Sequence, residues 1–148
     1  MMKRVVVVLA MVLTAFGIAT PTASAEVQVL TVKLAPSGDP DGSGVAVVRL
    51  DPERDLVCYV AVVRDISAPT EPAPGVGAAH IHGPLPATGI AIDLDSVFRT
   101  AGTSTYIAKD CVGADSGAID AVLAHPELFY FNVHNAEYPA GAVQGSLG

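Results

Sequence analysis

Alternation with a period of two, broken at short intervals by glycine or proline, is the feature that most restricts this chain. In residues 27–34, Val27, Val29, Thr31 and Lys33 share one face while Gln28, Leu30, Val32 and Leu34 share the other. That is the period of an extended strand, and the β-branched content supports a strand over a helix. Residues 44–50, 56–64, 79–82, 90–94, 129–134 and 142–147 read the same way, and residues 104–108 read as extended within a weakly patterned stretch from 95 to 117. Between them, residues 36–44 are a run of turn formers and residues 51–55 make a short polar joint suited to a hairpin. Pro69, Pro72, Pro74, Gly75 and Gly77 exclude a helix or an interior strand over residues 67–77, so this stretch is expected to be a surface loop. Ser116 is placed to cap one short helix over residues 117–124, with Ile119, Val122 and Leu123 facing inward and Pro126 closing it. Roughly seven to eight short strands and one minor helix predict an all-β fold, an antiparallel Greek-key β-sandwich.

The first 25 residues read as a secretion signal. Lys3 and Arg4 form a basic start, residues 5–18 are almost wholly apolar, and Ala23-Ser24-Ala25 supplies a small-x-small cleavage site. Cleavage after Ala25 leaves one domain, residues 26–148, in a secreted protein with no membrane attachment. It also leaves six basic side chains against fifteen acidic ones, a net charge of −9. Such a balance argues against nucleic acid and anionic lipid as partners, because both are bound through Lys and Arg.

Cys58 and Cys111 are the only cysteines and both are exported. In an oxidising compartment an even count points to one disulfide, with a loop-closure contribution of roughly 4 kcal/mol at most. Two free thiols, one of them a metal ligand, is the competing reading, and exposure to oxidants argues against it.

The chemistry-bearing stretch is Ala79-His80-Ile81-His82-Gly83-Pro84. In a strand His80 and His82 project to one side, and the Gly-Pro that follows ends the strand. Farther on, Phe129, Phe131 and Val133 form an apolar face, leaving Tyr130, Asn132 and His134 on the other. If the third imidazole emerges beside the first two, His80, His82 and His134 are a ligand set for copper or zinc, with Asp93 or Glu137 adding an oxygen. In the competing reading the three rings hydrogen-bond to backbone and neighbours and organise one end of the sandwich, as Asn132 and Asn135 would. His125 reads as a structural residue at the helix end. Asp39 and Asp41 lack the spacing and terminal Glu of an EF-hand and read as a solvated turn. Ser96, Ser104 and Ser116 lie in no nucleophile-elbow context.

The string AAHIHGP at residues 78–84, followed by FYFNVHNAEYPAGAVQGSL at residues 129–147, resembles the chordin-type CHRD domain of secreted animal and bacterial proteins. The resemblance runs from about residue 29 to residue 147. It implies a secreted β-sandwich that acts as a non-enzymatic extracellular binding or structural module, with an extracellular protein as its partner. The His-x-His strand and later strand histidine are also similar to the copper ligands of the copper-zinc superoxide dismutase sandwich. That enzyme would need further histidines for a fourth copper position and for zinc, whereas here only His125 is left, and Gln144 stands where a basic residue would attract an anion. The readings carried forward are therefore a binding or structural module, a histidine-based copper or zinc protein, and a dismutase-like oxidoreductase.

Overall fold

The computed structural model describes residues 26–148, so the leader expected over residues 1–25 lies outside the described residues. Among the described residues nine strands and one α-helix follow in the order β1 (Gln28–Pro36), β2 (Ser43–Asp51), β3 (Leu56–Arg64), β4 (Ala79–His82), β5 (Ile90–Asp93), β6 (Arg99–Gly102), β7 (Thr105–Gly113), α1 (Ser116–Ala124), β8 (Tyr130–Val133) and β9 (Val143–Ser146). All strand pairs are antiparallel and form one sheet in the order β5-β4-β8-β9-β1-β2-β3-β7-β6.

β1 makes this sheet curl into a sandwich-like shell. From Gln28 to Leu34 it pairs with β2, but its last residues, Ala35 and Pro36, pair with Gln144 and Val143 of β9. One strand thus serves both halves, β1-β2-β3-β7-β6 and β5-β4-β8-β9. A side chain at Gly145 would run into the Lys33 carbonyl, so the tight corner depends on a residue without a Cβ. The inward residues of both halves meet in one core that includes Val32, Leu34, Val48, Val57, Val63, Ile81 and Phe131. Tyr59 of β3 and Phe131 of β8 face each other across it with ring centroids 6.4 Å apart. Such interdigitation of two inner faces is what holds an antiparallel sandwich together.

Several local expectations are corrected. The stretch after residue 94 contains a full hairpin, β6–β7, and β7 continues through Cys111, which lies directly opposite Cys58 in β3 and is disulfide-bonded to it. The helix is capped by Asp115, whose carboxylate accepts from the Ala118 amide at 3.1 Å, and Ser116 is already its first helical residue. Both side chains are good caps, and the one with extended backbone takes the role. β8 is shorter than read, so His134 lies one residue beyond the strand.

Candidate metal centre

The site is built on the outer face of the second half. β4 and β8 pair as Ala79↔Val133, His80↔Asn132, Ile81↔Phe131 and His82↔Tyr130. Ala79, Ile81, Phe131 and Val133 fill the core, so His80, His82, Tyr130 and Asn132 point the other way. That face is not open to solvent: His80 is 0 % exposed, His82 9 % and His134 3 %. Connecting segments cover it, held by the Thr70 amide donating to the His134 carbonyl at 3.1 Å and by a bridge between Pro69 and Asn135. The Ser96 hydroxyl fixes β4 from its other edge, accepting from the Ala79 amide at 2.6 Å.

His80, His82 and His134 converge, each offering one ring nitrogen such that all three lie within 4.8 Å of one another. His82 Nδ1 is 2.9 Å from the Thr88 carbonyl and His134 Nδ1 is 2.9 Å from the Pro139 carbonyl. A carbonyl only accepts, so both Nδ1 atoms carry protons and both Nε2 atoms present lone pairs. His80 Nδ1 lies 3.1 Å from His134 Nε2 and therefore donates to it. The Nε2 atoms of His80 and His82 are left buried with no hydrogen-bond partner. Buried polar atoms are normally satisfied, so two unpaired nitrogens in one cluster call for a physical reason.

Burial, then the neighbouring His134 ring, pushes the His80 pKa down to about 4, with the Asp93 carboxylate acting in the opposite sense. Burial also lowers His134, and the bond to the Pro139 carbonyl partly offsets it. Both rings are therefore neutral at pH 7, the state a metal ion requires of its ligands.

The proposed oxygen ligands separate. Asp93 Oδ1 stands 3.7 Å from His80 Nε2, while the Glu137 carboxylate accepts from the Ser67 hydroxyl at 3.0 Å. Asn132 donates to the Ala140 carbonyl and Asn135 accepts from the Tyr138 amide, as a structural role requires, yet Asn132 Oδ1 and Asn135 Nδ2 have no partner. His125 caps α1 and lies 3.3 Å from Glu127, outside the cluster. The sequence places Tyr130 on the histidine face without a role; its ring stacks on His82 with centroids 5.2 Å apart, directly across the strand register. Sequence reading missed the Thr88 and Pro139 carbonyls, for which no side-chain signal exists.

Fold and site together define a curled antiparallel β domain with a buried three-histidine cluster on one outer face. The family model for the CHRD domain matches residues 18–147, and the chain belongs to the CHRD domain family. A search of curated proteins and a search of solved structures return no match. CHRD domains are extracellular in general, and the protein carries a disulfide. No helix among the described residues is long and apolar enough to cross a membrane.

Proposed function

We propose that this CHRD protein is a secreted, non-enzymatic binding module that holds one copper or zinc ion on His80, His82 and His134. The observation that carries the reading is the convergence of three imidazoles, two of them, His82 and His134, oriented by backbone carbonyls, with His82 Nε2 buried and unpaired. Two nitrogens on one tetrahedral ion with bonds of about 2.1 Å lie roughly 3.4 Å apart, so the observed spacing needs only small ring movements.

His82 and His134 would offer Nε2. His80 would offer Nδ1, which already faces His134, and its proton would then sit on Nε2 beside Asp93. Asp93 also accepts from the Gly77 and Asp95 amides at 3.1 and 3.0 Å, so its carboxylate is held in place rather than swinging free. A carboxylate that orients a ligating histidine is a common outer-shell partner of metal sites. A bound ion would crosslink β4 to the end of β8 and add its binding free energy to folding.

Histidine-poor composition favours binding over turnover. A fourth imidazole would have to come from His125, which is committed to the helix end and Glu127.

The test is titration of the purified protein with Zn(II) or Cu(II). One tight equivalent is expected, together with a rise in Tm, and both should be absent in His82→Ala. Weak binding left unchanged by that substitution would leave the three rings as packing and hydrogen-bonding groups. A superoxide-disproportionation assay on the copper-loaded protein separates a binding module, with no turnover, from the oxidoreductase reading.

A further inference from the structure

The chain's charges are sorted by face, which its composition conceals. At outward positions of the β1-β2-β3-β7-β6 half, the register places Lys33, Val45, Val62, Ile107 and Arg99 in one row across five strands. The next row is Thr31, Val47, Val60 and Lys109, and the next Val29, Arg49, Cys58 and Cys111. Arg64, opposite Thr105, adds a further cation on the same side. Five of the six basic side chains in residues 26–148 thus stand on one face. The one carboxylate at an outward strand position, Asp51, is buried and paired with Arg49 at 2.9 Å and Arg54 at 3.2 Å. Lys33, Arg64, Arg99 and Lys109 form no ion pair among the described residues.

Between these cations lies an aliphatic centre. Val29, Val45, Val47 and Val60 keep 38–60 % of their surface exposed. A shallow depression of about 440 Å³ is floored by Val47, Val60 and the Cys58–Cys111 disulfide, edged by Arg49 and Lys109, with Asp110 at its rim.

We propose that this face docks onto an anionic lipid surface. Four inter-strand spacings of about 4.8 Å separate Lys33 from Arg99, so the cations frame a plane roughly 19 Å wide. Small aliphatic side chains in the middle with long cationic arms at the perimeter match the boundary between acyl chains and charged headgroups. Charge rules out a second copy seated face to face, since that would set five cations against five. Protein hot spots are enriched in buried aromatic anchors, and every outward position in these rows lacks an aromatic. The net charge of −9 does not oppose docking, because screening limits each charge to about 10 Å and a surface meets one face at a time. Docking this way would leave the histidine face, on the opposite half, turned away from the lipid.

The experiment is co-sedimentation of the purified protein with phosphatidylcholine vesicles containing about a third phosphatidylglycerol, against pure phosphatidylcholine. Binding to the anionic vesicles alone, weakened by salt, is expected. Each removed cation should cost about fivefold, so Lys33→Glu/Lys109→Glu should lose at least roughly 25-fold. Both positions are exposed, and an unchanged Tm confirms that the fold survives. Val60→Asp, from the aliphatic centre, should weaken binding as well. Absence of vesicle binding overturns the proposal, as does equal binding to neutral vesicles or binding indifferent to the charge reversals. Capture of soluble polyglutamate but not of vesicles would reassign the face to an acidic protein partner and overturn it too.

Discussion

His80 and His134 meet nitrogen to nitrogen at 3.1 Å in the protein interior, and a third group decides which of them holds the proton. The Pro139 carbonyl engages His134 Nδ1, so His134 can only accept through Nε2 and His80 must donate through Nδ1. The pair is neutral and directional. Protonation of either ring would place charge in a buried site, which is the main reason both pKa values fall, and a proton on His134 Nε2 would also break that bond.

A pH dependence of stability follows. His80 titrates near 6.5 when unfolded and at about 4 when folded. Between those values the unfolded chain binds a proton that the folded protein refuses, so stability declines as pH drops through the window and the loss is complete below about pH 4. His134 shifts in the same direction. For His80 alone the loss is on the order of 3 kcal/mol. Urea unfolding across the window checks it, with His80→Gln as the reference that removes the histidine and keeps the carboxylates. Equal slopes in the two proteins would show that His80 is not held neutral.

Asp93→Asn should keep the metal stoichiometry and weaken affinity about 10-fold or more, because the proton on His80 Nε2 loses its anionic neighbour. Glu137→Gln, whose carboxylate is engaged with Ser67, should bind as the parent does. Isothermal titration with Zn(II) distinguishes the two, and the reverse ranking would move the outer-shell role from Asp93 to Glu137.

Reduction of Cys58–Cys111 is expected to lower the urea midpoint, by up to roughly 4 kcal/mol of stability for a loop spanning 53 residues. Metal stoichiometry should not change, since the disulfide lies on the outer face of the other half. Gain of an equivalent of Zn(II) on reduction, with the fold intact by circular dichroism, would return a thiol to the ligand set.

Gly141 has φ +134°, and a Cβ there would run into the Asn132 side chain. Gly141→Ala should cost about 1–3 kcal/mol of stability. Because the turn it shapes carries the Pro139 carbonyl, metal affinity should fall with it. Thermal melts with and without Zn(II) measure both effects. A variant with parent stability would mean that the turn relaxes freely.

Much of the sheet was legible. Period-two alternation located β3 at Leu56–Arg64, set His80 and His82 on one side of their strand and put Phe131 on an apolar face, which the core then buries, because a strand with one core face must alternate. The disulfide was legible from the even count and the oxidising compartment that the leader leads one to expect. The β6–β7 hairpin was not: β6 is exposed at every position, and β7 carries Lys109, Asp110 and Cys111 in succession, so neither shows alternation. The sequence assigns the cap to Ser116 rather than Asp115 for a different reason, since two good capping residues stand side by side and only backbone conformation chooses between them.

By itself, the order of residues determined that His80 and His82 look the same way, that Cys58 and Cys111 are the one pair available to bond, and that the chain folds as antiparallel β. These are consequences of a two-residue repeat and of covalent chemistry, which need no knowledge of distant neighbours. Only the tertiary structure decided that His134 arrives beside the other two rings, that loops bury the cluster, that carbonyls of Thr88 and Pro139 set its tautomers, and that the scattered cations share one face. Each of those depends on strand register and on backbone atoms brought together from far apart in the chain, and backbone carbonyls are the same whatever side chain they belong to.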